Sequence, residues 1–168
     1  FILDMSTSMI NRGKIRRASK LGEKIPYGVA MDNSGLITTN AKHALQGTQL
    51  PIAGFKGSGL AWMVDILSGV LTGSSHGGKT KDPFDDFTGP QNIGHLFITI
   101  NPRIFIGKNY LKEIRKNINR VKRLPKAKGF TNIFYPGERK NRTYKKNLKK
   151  DISIPSLILE EMEKLNAI

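Results

Sequence analysis

The segment Leu50-Pro51-Ile52-Ala53-Gly54-Phe55-Lys56-Gly57-Ser58-Gly59-Leu60 constrains this chain more than any other. Three glycines and a lysine lead into Leu60, Met63, Val64, Leu67 and Leu71, which fall on one helical face. Ala61, Ile66 and Val70 add apolar groups elsewhere around the cylinder, so the pattern predicts a helix buried on most sides and ended by Gly73. The glycines let a backbone approach an anion, a helix start offers unpaired N–H groups, and Lys56 adds a full charge. Tight helix packing explains the same glycines equally well. The segment has neither the Gly-Lys-Ser/Thr order of a nucleotide-triphosphate loop nor the strand-led glycine fingerprint of the doubly wound dinucleotide fold.

The rest of the chain reads as alternating strand and helix signals. Phe1-Ile2-Leu3 predicts the end of a buried strand, and Asp4-Met5-Ser6-Thr7-Ser8 the polar loop that follows it. Gly13–Lys20 is helical in character, Gly22, Pro26 and Gly28 punctuate a loop, and Asp32-Asn33-Ser34-Gly35 is a turn. Asn40–Gln46 predicts a short helix stopped by Gly47. Residues 74–92 predict a long irregular loop, and His95–Ile100 a strand ended by Asn101-Pro102. Leu111, Ile114, Ile118 and Val121 form the stripe of a second amphipathic helix that Pro125 stops. Ile133-Phe134-Tyr135 predicts a short strand running into the turn Pro136-Gly137-Glu138-Arg139. Pro155 opens a last helix with Leu157, Ile158, Met162 and Leu165 facing inward.

Charge is unevenly placed. Residues 107–150 hold 16 Lys+Arg and 2 Asp+Glu, so nearly all of the net +15 lies there. Such a field attracts nucleic acid, acidic head groups, dinucleotide phosphates or small carboxylates. The lack of a known motif and of clustered aromatics argues against a nucleic-acid module. Absent cysteines exclude a disulfide framework, a thiolate zinc site and a cysteine nucleophile. The three histidines form no close metal-ligand pair, so no metal is expected, and Asp82, Asp85 and Asp86 are expected on a solvated loop. No apolar run reaches the ~20 residues of a membrane helix. A cytoplasmic setting is the expectation. Because the chain opens on apolar Phe1, it is expected to be the C-terminal piece of a longer protein.

In order along the chain, Leu3–Ser8, Gly13-Lys14-Ile15, Ile25–Asp32, Thr38-Thr39-Asn40, Ala44–Gly47, Gly54–Gly73, Asn92–His95, Ile100-Asn101-Pro102 and Pro136–Arg139 resemble one family. It is the non-Rossmann NAD(P)-dependent malate/L-lactate dehydrogenases, with the ureidoglycolate, sulfolactate and 2,3-diketogulonate oxidoreductases. The resemblance implies an α/β fold, a large mixed or antiparallel sheet flanked by helices. It divides the chain into much of a cofactor-binding domain (1–106) and a basic helical region (107–168). It implies hydride transfer between NAD or NADP and a 2-hydroxy or 2-keto acid such as malate or lactate, in a homodimer. It places cofactor contacts at Asp4, Met5 and Ser6, at Phe55 and Lys56, and at Gly137, Glu138 and Arg139. The family often has His or Trp at the Phe55 position and Tyr at the Ser58 position, and Asn40 stands for a frequent Asp. The family's catalytic His and substrate-binding Arg have no counterpart here and are expected upstream of Phe1. A catalytically inactive piece of the family is the alternative, and a nucleic-acid module the more remote one.

Overall fold

A computed structural model describes residues 1–166. The chain divides into two compact units, Met5–Ile100 and Phe1–Asp4 with the residues from Asn101 onward.

In the larger unit, α1 spans Arg12–Leu21. The Asn11 side chain accepts from the Lys14 N–H at 2.9 Å, and Gly22, at φ +67°, turns the chain out of the helix. β1 (Ala30–Met31) and β2 (Thr48–Gln49) pair antiparallel, with Ala30 opposite Gln49. Between them lie the Asp32–Gly35 turn and α2 (Ala41–Gln46), whose first N–H groups are capped by the Asn40 side chain. A Cβ on Gly47 would meet the Met31 carbonyl oxygen at 2.1 Å, so only glycine lets the chain cross there. The core is Ile15, Ala18, Ile25, Val29, Ala30, Ala41 and Ala44, which packs α1 onto α2 and the β1 edge.

α3 follows over Phe55–Asp65 and runs on through a π-helical stretch at Ile66–Val70. Ser68 Oγ donates to the Val64 carbonyl at 2.6 Å and Thr72 Oγ1 to the Ser68 carbonyl at 2.7 Å. Such bonding back to the preceding turn competes with the regular ladder. The helix forms where the pattern predicts, but it is not buried on most sides. Trp62 is 68% and Leu71 67% exposed, and Leu60, Met63 and Val64 are exposed too; Gly57 and Gly69 are its buried residues. Apolar side chains all round a helix call for cover, and the described residues of this unit do not supply it.

The irregular loop after Gly73 is tied to α1. Arg16 donates to both Asp82 oxygens (2.6 and 2.7 Å) and to Asp85 (3.0 Å), Arg12 Nε lies 3.2 Å from Asp82, and the Arg16 guanidinium lies over the Phe84 ring. Asp82 and Asp85 are therefore ion-paired rather than simply solvated. The Phe84 backbone N–H and Arg16 hold the Asp82 carboxyl below its usual range. A depressed folded pKa stabilises above the unfolded value, near pH 4, and the contribution vanishes as pH falls through the folded one. Asp82→Asn at neutral pH is expected to reproduce the acid effect, speeding proteolytic nicking between residues 79 and 91. An unchanged rate would mean that something other than the clasp holds the loop.

The smaller unit contains α4 (Arg103–Ile106), a 3-10 turn at Gly107–Asn109, α5 (Tyr110–Lys122), α6 (Glu138–Asn147) and α7 (Ser156–Asn166). α5 ends ahead of Pro125 as predicted, with Ile114 and Ile118 half-buried and Leu111 exposed. On α7, Leu157, Met162 and Leu165 are exposed instead of facing inward, and only Ile158 of the four is half-buried. α6 carries no apolar stripe, which is why no periodicity announced it.

The expected large sheet is not built by these residues. The described ladder has two strands of two residues, with isolated bridges beside it. Phe1–Leu3 is 65–71% exposed, and neither it, His95–Ile100 nor Ile133–Tyr135 forms a strand. A strand needs a neighbour about 4.8 Å away to take its backbone donors and acceptors. Apolar β-formers announce a strand's capacity to pair without saying where the partner is.

Candidate functional site

In the larger unit, the chain leaving Met5 and Ser6 runs beside the chain that opens α3. Ile52 N–H donates to the Thr7 carbonyl at 3.0 Å, and Met9 N–H to the Leu50 carbonyl at 2.8 Å. After Ile52 the backbone turns through Ala53 and Gly54, both at positive φ (+49° and +60°), and delivers Phe55 and Lys56 as the first residues of α3. A positive φ on Ala53 is strained. It is held by a close approach behind it, where a Cβ on Gly57 would lie 1.9 Å from the Ile52 carbonyl oxygen.

No side chain caps α3, so its first-turn N–H groups have no side-chain acceptor. Phe55 is 82% exposed and Lys56 is exposed beside it. Unpaired donors, the positive end of the helix dipole and an ammonium together suit an anionic group. Met5 and Ser6 line a separate groove of about 880 Å³ with Lys14, Arg17 and Lys24; Phe55 and Lys56 do not line it. Ser6 Oγ lies 3.1 Å from Ser8 Oγ.

In the smaller unit, the other four candidates gather at the start of α6. Ile2 N–H donates to the Pro136 carbonyl at 3.1 Å. Gly137, at φ +91°, makes the turn, and a Cβ there would press on Ile2 at 3.0 Å. The Asp4 carboxylate pairs with the Lys140 ammonium. Glu138 is only 7% exposed, and its Oε1 accepts from Lys122 Nζ and from Arg142, both at 2.6 Å, while Oε2 is buried without a partner. Lys122, opposed by desolvation and aided by Arg142, holds this carboxyl below its usual range. Arg139 is exposed, its guanidinium 6.0 Å from the Phe134 ring centre. A cleft of about 450 Å³ opens at the same turn, lined by Tyr135, Gly137, Lys140, Asn141 and Tyr144 among others.

Three members of this corner escaped the sequence reading. Arg142 stands four residues after Glu138, a spacing that signals a helical ion pair once the helix is known. Lys122 and Lys140 reach their carboxylates through the fold and left no local signal. Gly73-Ser74-Ser75-His76-Gly77 spells the Gly-x-Ser-x-Gly of hydrolase elbows. It follows a helix rather than a strand, and the His76 ring Nδ1 lies 2.9 Å from the Ser74 carbonyl, so it is not that strand-to-helix turn. Among the described residues no three His, Asp or Glu side chains gather as a metal site.

The family model described as malate/L-lactate dehydrogenase matches residues 1–163. The chain belongs to the malate/L-lactate dehydrogenase family. The malate/(S)-sulfolactate dehydrogenase of Methanothermus fervidus is 33% identical over 166 residues, covering 97% of this chain and 47% of that protein. The NAD(+) ureidoglycolate dehydrogenase of Escherichia coli K12 is 36% identical over 138 residues, covering 80% of this chain and 38% of that one. A solved dehydrogenase from Sinorhizobium meliloti superposes with a TM-score of 0.88 at 27% identity, over 98% of this chain and 48% of that structure. The chain thus spans half or less of the length of these relatives. No helix of the described residues is long and apolar enough to cross a membrane.

Proposed function

We propose that this chain is the dinucleotide-binding part of an NAD(P)-dependent oxidoreductase that interconverts a 2-hydroxy acid and its 2-keto acid, malate and lactate being the type substrates. The observation that carries this reading is Lys56 at the uncapped start of α3 in a malate/L-lactate dehydrogenase family member. Bound there, the nicotinamide would supply or accept the hydride. The chain's own residues would bind and orient it. First-turn N–H groups of α3 and Lys56 would neutralise phosphate, with Phe55 alongside. Met5, Ser6, Asp4, Gly137, Glu138 and Arg139 are the other residues proposed to contact the dinucleotide. The substrate's proton donor and the cation for its carboxylate are assigned to no residue of this chain.

Lys56→Ala is expected to weaken NADH and NADPH alike by roughly ten- to a hundredfold in a fluorescence titration, the loss of one charge-assisted contact (roughly 1.5–3 kcal/mol). Unchanged affinity for both would remove Lys56 from the site. Turnover of L-malate or L-lactate by the chain alone would set aside the alternative of an inactive piece. A homodimer belongs to the same proposal, because exposed Leu60, Trp62 and Met63 need cover. Sedimentation at micromolar concentration tests it directly.

A further inference from the structure

We infer that the outer face of α5 is a cationic strip that binds the phosphodiester backbone of a duplex nucleic acid. This goes beyond the cofactor reading and does not rest on it. α5 divides by charge. At 3.6 residues per turn, Lys112, Lys116, Asn119, Arg120 and Arg123 fall within about 100° of one another and rise about 16 Å along the axis. Ile114, Ile118 and Val121 fall on the opposite side, where Ile114 and Ile118 are half-buried, so the strip faces outward. A groove of about 430 Å³ opens at its far end, lined by Lys116, Asn119, Arg120, Arg123, Leu124 and Pro125.

The strip keeps its charge. Residues 107–150 hold two carboxylates, and both are engaged. Glu113 pairs with Lys116 at 2.7 Å, and Glu138 is buried against Lys122 and Arg142. Lys112, Arg120 and Arg123 are exposed and have no carboxylate partner among the described residues. Lys112, Lys116 and Arg120 also follow one another at four-residue steps, where like charges repel and cost the helix a few tenths of a kcal/mol per pair. A row of anions laid along the strip turns that repulsion into attraction.

The chemistry of the strip chooses among polyanions. Cations about 6 Å apart along an axis suit a regular row of charges better than a single small anion. Guanidinium forks match phosphate oxygens, and Asn119 places a neutral donor between them. No aromatic side chain lines the groove, so it offers no platform for unstacked bases and suits a backbone whose bases stay paired. A lipid surface would need the apolar side of the helix to enter the bilayer, and Ile114 and Ile118 on that side are already half-buried. Backbone binding reads no bases, which is why no base-reading motif accompanies it in the sequence.

The test is fluorescence anisotropy of a labelled duplex of about 20 base pairs, as DNA and as RNA of the same sequence, titrated with the full chain. A Kd between about 1 and 100 μM is expected at roughly 0.15 M salt, and the tighter duplex names the source. Four phosphate contacts predict an affinity that falls about 150-fold between about 50 and 200 mM salt, on the slope for B-form DNA. Arg120→Gln combined with Arg123→Gln is expected to keep the circular dichroism spectrum and to cut that fall to about twelvefold. Lys145→Gln combined with Lys146→Gln removes the same charge from α6 and is expected to leave the fall unchanged. The inference is overturned by no binding below about 100 μM, by equal losses in the two double variants, or by tighter binding to the single strand. Equally tight binding to vesicles rich in phosphatidylserine, weakened as much by the α5 double variant, would make the strip a lipid contact and overturn it too.

Discussion

Replacing Gly57 with alanine is expected to destabilise the larger unit by about 2 kcal/mol and to weaken dinucleotide binding along with it. The added Cβ would lie 1.9 Å from the Ile52 carbonyl oxygen and 2.8 Å from both Ile52 C and Cγ1. Two of these three neighbours are backbone, so no rotamer change relieves them; α3 must move off the Pro51–Ile52 segment. Overpacking costs roughly 1–3 kcal/mol, and a buried backbone clash lies at the upper end. Alanine returns up to about 1 kcal/mol through its better helix propensity, which leaves the net loss stated. Because Lys56 precedes Gly57, the shift also moves the ammonium and the first-turn donors. Gly59 provides the control: nothing lies within 4 Å of a Cβ there. Gly59→Ala is expected to be neutral or stabilising in urea unfolding. If the two variants lost equal stability, helix chemistry rather than the close approach would be responsible.

That comparison also shows what the sequence could and could not tell. Glycines ahead of an apolar run announced a helix start, and the start is where they placed it. Which glycine meets another chain segment, and which faces open space, depends on Ile52, a contact set by the pairing of Thr7–Met9 with Leu50–Ile52. Local signals were legible for a local reason. The helix predicted over Asn40–Gln46 forms at Ala41–Gln46 with Asn40 as its cap, and Gly22, read only as loop punctuation, closes α1; both act within four residues of themselves. Asn11 caps α1.

Long-range pairing was not legible. The apolar letters of Phe1–Leu3, His95–Ile100 and α3 report a capacity for burial, yet these groups lie exposed in the described residues. The chain spans half or less of its relatives' length, and a hydrophobic pattern does not state which segment will cover it. The same limit applies at the site. The turn before Arg139 was readable from Pro136 and Gly137, whereas the capture of Glu138 by Lys122 required the end of α5 to be folded beside it. A residue type assigned by resemblance to ligand contact thus proves to be occupied by its own neighbours.

Ile15→Ala is expected to be the most damaging single change, costing about 3–4 kcal/mol. Ile15 is 1% exposed and is the largest fully buried side chain described. Four of the seven core residues are alanines, so Ile15 supplies much of the volume between α1 and α2. Removing three carbons leaves a cavity that alanines cannot reach into, which puts the loss well inside the 2–5 kcal/mol range for such truncations. Against a typical total of 5–15 kcal/mol that is a large share. Ile15→Val, at about 0.5–1.5 kcal/mol, grades the effect. The consequence reaches function because α1 also presents Lys14 and Arg17 to the groove lined by Met5 and Ser6. A nucleotide that binds only the folded chain adds about 2.7 kcal/mol at a hundred times its Kd. NADPH at that excess is therefore expected to restore most of the urea midpoint lost by Ile15→Ala. A variant whose midpoint ignores the nucleotide, while the unaltered chain still binds it, would separate this core from the binding site.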